Sequence, residues 1–493
     1  MEHGSAVFEL AIQIAGEFAH FSAIDLGRLE QVCRDESLFQ PLWERLCRQR
    51  WVIPKKAGLI FGDGEIVIWK LRFKQARWWD GRLFASGLWG PSGQSYQFCS
   101  PENEHPKERF PTLRFSSAAC GELHFIAIAG ESPLPATHHV FAWGHYRLTP
   151  TDLASGAPGT RAGEACRAPC GLPRGEVNAE PTRVDRYDDA DGLYLVAKQA
   201  HTRLGRSAVV SEGNLLTFGA SSNGLGLWND NWTERYVPLV VSLPVPGAVR
   251  VACVSLGDHH TLLADTAGRL YAFGESAHGR LGLGAAIAAM EPVKTPAQVT
   301  SLAEQRVVCV AAGDRHSLAL TDDGAVWAFG SNRRCQLGVP AASVVAYSPV
   351  RVGQPTSTLD IDMPVVAHVA AGANLSAALT SDGSLLTFGQ GNENGLGTGS
   401  RMDEHKPTAV MPGQCFVSVS VGAGYMVAID DEARAFSWGY NPFNQCGRGY
   451  RRGHDPHQCP DGDVDVGQVQ LPGPVRFVSA CFATFYVLGL QHN

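Results

Sequence analysis

The chain has 493 residues, of which 44% are hydrophobic, only 18% are charged and 54 are glycine, and its net charge is −7. That is long for one compact core, so two or more units or one closed repeat array are expected, and few charges with many glycines point to an all-β, turn-rich protein. No apolar run reaches the roughly 18 residues of a membrane span and no secretory signal pattern opens the chain, so no membrane association is expected.

Residues 1–51 read as a small three-helix module. Leu10, Ile14 and Phe18 recur at a spacing of four, with Ala11 and Ala15 beside them, as on one helical face. Ser22-Ala23-Ile24-Asp25 has the form of a capping box ahead of Leu26, Leu29, Val32 and Cys33, and a third helical stretch holds Leu38, Leu42, Trp43 and Leu46. So small a module buries little area alone, so it is expected to dock on a partner or on the rest of the chain. Residues 52–79 read as a linker and entry strand. Within 69–82, WKLRFKQARWWDGR interleaves aromatic and basic side chains, read as a strand with one basic face in preference to a nucleic-acid platform.

Charge is unevenly spread: −6 over residues 1–44, +7 over 45–82 and −8 over the remaining 411. The body is therefore no polyphosphate-binding surface, and no nucleic-acid partner is expected. Of the thirteen cysteines, Cys253, Cys309 and Cys481 sit in apolar strand-like segments, the pattern of reduced, buried thiols in a cytoplasmic or nuclear protein.

Residues 80–493 carry an internal repeat. GDHHTLLADTAGRLYAFG (257–274), GDRHSLALTDDGAVWAFG (313–330) and GANLSAALTSDGSLLTFG (372–389) superpose almost without gaps. GAGYMVAIDDEARAFSWG (422–439) keeps the length, 205–219 fits only the later part, and a sixth copy spans 121–144. In each, two apolar runs flank an Asp-Gly or similar turn, the signature of a tight β-hairpin. A strand-like stretch precedes it and a Gly-x-Leu-Gly-like corner follows (Leu225-Gly226, Leu281-Gly282, Leu337-Gly338, Leu396-Gly397), giving about four strands per unit. A seventh copy is read as split between 80–100, where Asp80-Gly81-Arg82-Leu83-Phe84-Ala85-Ser86-Gly87 matches a second half, and 475–490, which matches a first half. The expected fold is thus an all-β seven-bladed β-propeller with a small N-terminal three-helix module. Residues 150–193, rich in Gly, Pro and Ala, read as a surface insertion.

Other constellations carry no chemistry on this reading. His124, His260 and His316 occupy one equivalent slot in separate units, with Leu375 and Tyr425 in two others, which suits a structural histidine bonded within its own blade. Asp461-Gly462-Asp463-Val464-Asp465 opens like a calcium loop, but Pro472 stands where the twelfth-position carboxylate belongs, so it reads as a solvated loop. Cys166, Cys170, His454, His457 and Cys459 have poor zinc spacing. No catalytic residue, metal or cofactor is expected.

The repeated Gly-x-x-His, Asp-Gly, Phe-Gly and Gly-x-Leu-Gly elements resemble the regulator-of-chromosome-condensation repeat family, whose members form seven-bladed propellers. The stretch AIDLGRLEQVCRDESLFQPLWERLCRQRW resembles the F-box, matching it at Asp25, Leu26, Leu29, Val32, Cys33, Arg34, Leu42, Trp43 and Leu46; the opening Leu-Pro of that family falls on Ala6-Val7. Together the resemblances imply a substrate-recognition subunit of a Skp/cullin-type ubiquitin ligase. Leu10, Ile14, Leu26, Leu29, Val32, Cys33, Trp43 and Leu46 would bind a Skp-type adaptor and through it a cullin, while a propeller face binds an unidentified protein target. The alternatives are a guanine-nucleotide exchange factor for a small GTPase, an activity of some relatives, and a plain interaction scaffold.

Overall fold

The structure is a computed structural model that describes the strands between residues 81 and 240 and, apart from short breaks, residues 241–490. The expected helices within 1–51 and the linker 52–79 lie outside the described residues. Among the described residues, helix is limited to single turns such as Ala285–Ala288 and Asn392–Asn394.

Six four-stranded antiparallel sheets repeat along the chain, each a meander of four consecutive strands in sheet order. The first blade is Arg114–Cys120, His124–Gly130, His139–Gly144 and Asn178–Arg183. The second is Ala197–Arg203, Arg206–Ser211, Asn214–Gly219 and Arg235–Val240. The third comprises Val251–Leu256, His260–Asp265, Leu270–Gly274 and Val293–Gln298. The fourth is Val307–Ala312, His316–Thr321, Val326–Ser331 and Val345–Arg351. Val366–Ala371, Leu375–Thr380, Leu385–Gly389 and Glu404–Val410 make the fifth. Phe416–Val421, Tyr425–Asp430, Ala435–Tyr440 and Asp463–Gln468 make the sixth.

The expected count of seven blades is corrected to six. Strands from the two ends do pair, Gly81–Trp89 running antiparallel to Thr484–Leu490 from Gly81↔Leu490 to Gly87↔Thr484. The result is not another four-stranded meander. It is a five-stranded composite in which Gly81–Trp89 also pairs with Tyr96–Gln97 and Lys107–Arg109, and Val475–Ala480 pairs with Thr484–Leu490. The reason lies in chain continuity. A regular blade is one segment folded at local hairpins, whereas here Gly81–Trp89 and Thr484–Leu490 pair from far apart along the chain, and the long strand Gly81–Trp89 takes two further partners. The composite still covers sheet edges that would otherwise be open. Within 150–193, read as a loop insertion, the structure places the last strand of the first blade and the short pair Arg186–Tyr187 and Leu193–Tyr194.

The second strands of the third to sixth blades are buried along their whole length, as in Leu262-Leu263-Ala264 and Leu318-Ala319-Leu320. Neighbouring blades cover both faces, which is why these strands read as continuous apolar runs and not as alternation. The cores accordingly lie between blades. Leu262, Ala264 and Leu270 of the third pack with Val307, Val310, Ala312 and Phe329 of the fourth. Leu379 and Leu385 of the fifth pack with Phe416, Val419 and Trp438 of the sixth. Tyr425, Val427 and Ile429 of the sixth pack with Val475 and Val478 of the composite sheet.

Two glycine positions show why the repeat takes its form. At the hairpin, Gly324 has φ +82°, the left-handed geometry of a tight turn; Ala433 occupies that slot in the sixth blade at φ +64°. At the Gly-x-Leu-Gly corner, a Cβ on Gly338 would lie 2.8 Å from the ring of Phe388, and one on Gly397 2.6 Å from Trp438 Nε1. The corner glycine of one blade is thus the bed for the third-strand aromatic of the next.

Candidate functional site

Each blade presents two ends. At one end lie the hairpin turns between second and third strands. The opposite end, the loop face, carries the loops from first to second and from third to fourth strand.

On the loop face the histidine slot links blades. His260 Nε2 meets Ser317 Oγ of the next blade at 2.9 Å, and His316 Nε2 meets Ser376 Oγ at 2.9 Å. This corrects the expectation of a bond within the same blade: the ring reaches forward to the second strand of the next blade. Ser317 Oγ donates to Arg280 O at 2.6 Å and Ser376 Oγ to Gln336 O at 2.7 Å, so each hydroxyl must accept from the imidazole N–H. The proton therefore sits on Nε2, leaving a neutral ring. Both histidines are fully buried. Burial, the largest cause, pushes His316 down to about 3 and holds His260 well below its ordinary value, with Arg280 adding to the latter. A side chain on Gly257 or Gly313 would intrude on these rings, which accounts for the Gly-x-x-His pattern.

In the second blade Arg206 takes the histidine slot. It is fully buried and donates through Nη2 to the carbonyls of Gly257 and Asp258 in the third blade. Burial pulls it down to about 10, against support from the Asp258 charge. Three residues before it, Arg203 joins three blades: its Nε donates to Asp258 Oδ1 at 2.7 Å and its Nη2 to Asp314 Oδ1. The two carboxyls behave differently. Burial, reinforced by the Asp258 charge, pushes Asp314 up to about 6 despite Arg203. Burial also opposes ionisation of Asp258, yet Arg203 and a hydrogen bond from Asp314 outweigh it and hold that carboxyl below its usual range. The cluster is mostly buried but reaches solvent, with Asp314 27% exposed. The cluster is held in place by contacts among three blades.

Arg203 and Arg206 were not singled out in the sequence, although a signal existed: the copy at 205–219 lacks the Gly-x-x-His opening. Asp463 and Asp465, read as a solvated loop, lie in the last strand of the sixth blade, where Asp465 Oδ1 accepts from Asn394 Nδ2 at 2.9 Å. The adaptor-binding set Leu10, Ile14, Leu26, Leu29, Val32, Cys33, Trp43 and Leu46 lies outside the described residues, as do Cys166, Cys170, His454, His457 and Cys459. Among the described residues, no group of three or more His, Cys, Asp or Glu could hold a metal ion, and Cys253, Cys309, Cys335, Cys415 and Cys446 are free thiols. No helix among them is long and apolar enough to cross a membrane.

Fold and site together define an interaction propeller, a ring of repeats whose loops present fixed side chains. The RCC1-like domain family model matches residues 82–482, and the chain belongs to that family. It is 34% identical to the human E3 ubiquitin-protein ligase HERC2 over 212 residues, 42% of this chain but 4% of that protein. It is 27% identical to the X-linked retinitis pigmentosa GTPase regulator homolog of Caenorhabditis elegans over 383 residues, 70% of this chain and 25% of that one. The chain thus spans a quarter or less of the length of these relatives. Among solved structures, Prp20p of Saccharomyces cerevisiae matches with a TM-score of 0.61 at 20% identity, covering 84% of this chain and 92% of that one. Human WBSCR16 gives 0.62 at 18% identity over 84% of this chain and all of the other. These two likenesses concern the fold alone.

Proposed function

We propose that the chain is a protein-binding scaffold whose loop face is the recognition surface. The observation that carries this reading is the Arg203–Asp258–Asp314 cluster, contributed by three blades and set over the buried Arg206. The test is capture of partners from lysate by the full chain, followed by face-specific substitution. His259→Glu with Met402→Arg, both exposed on the loop face, should empty the captured set. Glu304→Lys with Asp431→Lys, exposed at the hairpin end, should leave it intact. The reverse pattern would refute the assignment.

A second reading, guanine-nucleotide exchange on a small GTPase, is supported by the name of the worm GTPase regulator homolog and by the described binding of Prp20p to Gsp1p and histones. Exchange would act by favouring the nucleotide-free form of the GTPase. Accelerated nucleotide release across a GTPase panel is the expected result; unchanged release would exclude this reading and leave the scaffold reading in place. Docking of residues 1–51 on a Skp-type adaptor and cullin rests on sequence resemblance. Its check is adaptor recovery, which Leu29→Asp and Trp43→Ala should abolish.

A further inference from the structure

Cationic side chains on the loop face concentrate between the third and fourth blades. His278 and Arg280 come from the corner after the third strand of the third blade, and Arg315 and Arg333 from the two loops of the fourth. Arg280 is 2% exposed and fixed, its Nε donating to Ala277 O at 2.9 Å and its Nη1 to Asp314 O at 3.2 Å, with Glu275 Oε2 3.2 Å away. Ser331 N donates to Arg315 O at 2.8 Å, tying the two fourth-blade loops together two residues before Arg333. Arg315 and Arg333 are exposed, and their side chains make no hydrogen bond or ion pair with the described residues. His278 is held below its ordinary value first by burial and then by the charges of Arg280, Arg315 and Arg333.

The repeat does not ask for these cations. The slot of Arg315 holds His259, Asn374 and Gly424 in neighbouring blades, and that of Arg333 holds Ala277, Asn392 and Pro442. Each of those blades closes in the same register at this end. Gathering like charges with no carboxylate on the outermost two works against folding, and such a cost persists where a partner supplies the missing anions.

We propose that Arg315 and Arg333, above the fixed Arg280, form a docking site for a short acidic segment of a partner protein, its Asp and Glu carboxylates held by the guanidinium forks. The inference rests on the reading of the loop face as the recognition surface and names the chemistry of what it recognises. Arginine suits this task because its planar fork matches a carboxylate in a bidentate pair. A nucleic acid fits less well. Asp258, Asp314, Glu275 and Asp403 flank the cluster, and a continuous phosphate backbone would run onto them.

The experiment is fluorescence anisotropy on the full chain with a short fluorescein-labelled Asp/Glu peptide. Its Asn/Gln counterpart and a DNA duplex serve as comparison probes. The acidic peptide is expected to bind with an affinity that falls as salt rises, the neutral peptide not at all and the duplex more weakly. Arg315→Glu with Arg333→Glu should weaken acidic-peptide binding about tenfold or more, and Arg315→Lys with Arg333→Lys should restore part of it. An unchanged melting temperature verifies that the variants fold. Equal peptide binding by wild type and the charge-reversed variant overturns the proposal. So does tighter binding of the duplex, or self-association of the wild type that the reversal abolishes, which would make a second copy the occupant. If the reversed variant still captures the lysate partners that His259→Glu with Met402→Arg loses, this site fails while the loop-face reading stands. If neither variant loses them, both fail.

Discussion

The two ends of the blades place their charged side chains differently. At the hairpin end, the turn carboxylates are satisfied within their own blade. In the third blade Asp265 accepts from the backbone N–H groups of Ala267 and Arg269, both at 2.9 Å, and from Arg269 Nε at 2.7 Å. The sixth repeats this with Asp430 and Arg434. The fourth and fifth blades put Thr where that Asp stood and move the carboxylate two residues on: Thr321 Oγ1 donates to Asp323 Oδ1 at 2.6 Å, and Thr380 Oγ1 to Asp382. At the loop end buried and charged side chains reach across to a neighbouring blade, as with His260–Ser317, His316–Ser376 and Arg203–Asp258–Asp314. At the hairpin end the bonds between blades are mostly backbone, as from Val307 N to Gly268 O and from Phe416 N to Gly383 O, with the Arg306 guanidinium donating to Thr266 O and Ala267 O. The loop end joins blades through side chains and holds charge in fixed positions.

The largest test of that contrast is at the corner glycines. Gly338→Ala puts a Cβ against Phe388 of the next blade at φ +64° and is expected to cost about 3 kcal/mol by denaturant unfolding. Gly399→Ala, at φ +79° with nothing within 4 Å, should cost about 1 kcal/mol. Equal losses would mean that the cross-blade bed is not what the corner glycine provides.

Next in size is the histidine link. Ser376→Ala leaves the buried His316 N–H without its acceptor and should cost about 2 kcal/mol. The same histidines make the fold acid-sensitive. Both are neutral in the fold, so their contribution is complete above about pH 6.5 and is lost as pH falls toward about 3, the His316 value. Asp314 has the opposite sign, its contribution being present below 3.8 and lost as pH rises through about 6. Relative to wild type, His316→Asn should therefore retain about 2 kcal/mol more on going from about pH 7 to about pH 4.5. A parallel acid limb in the two proteins would remove His316 as its source.

Of similar size is Arg203→Met, which leaves Asp258 and Asp314 facing each other. A loss of about 2 kcal/mol at about pH 8 is expected, shrinking at about pH 5 because a raised carboxyl pKa is relieved by protonation. The smallest effect is Asp323→Ala, at about 1 kcal/mol for a turn that has lost its side-chain acceptor. Paired with the equivalent Asp382→Ala it should be additive, as expected for turns that do not touch. Coupling between them would break the distinction between the two ends.

Much of the architecture was legible because the repeat states it. The Asp-Gly turn, the Phe-Gly closure and the corner glycine each answer a backbone or packing demand that recurs at fixed spacing. The histidine slot was visible too, but not its direction: nothing in GDHHTLL indicates that His260 bonds to Ser317 of another repeat, 57 residues away. Arg203 and Arg206 escaped notice for a related reason. They lie where the repeat is broken, and a pattern sought by its regularity hides its exceptions.

Local chemistry in the sequence thus determined the strands, their hairpins and the meander of each blade, because every one of those features is settled within a few dozen residues. The count of six and the composite sheet from both ends were decided by the tertiary structure, since strand pairing between residues 81 and 490 has no local turn to set its form. The same holds for the loop face. Its arginines and carboxylates acquire meaning only when separate blades are brought side by side, where distance through space replaces distance along the chain as the variable that sets their energies.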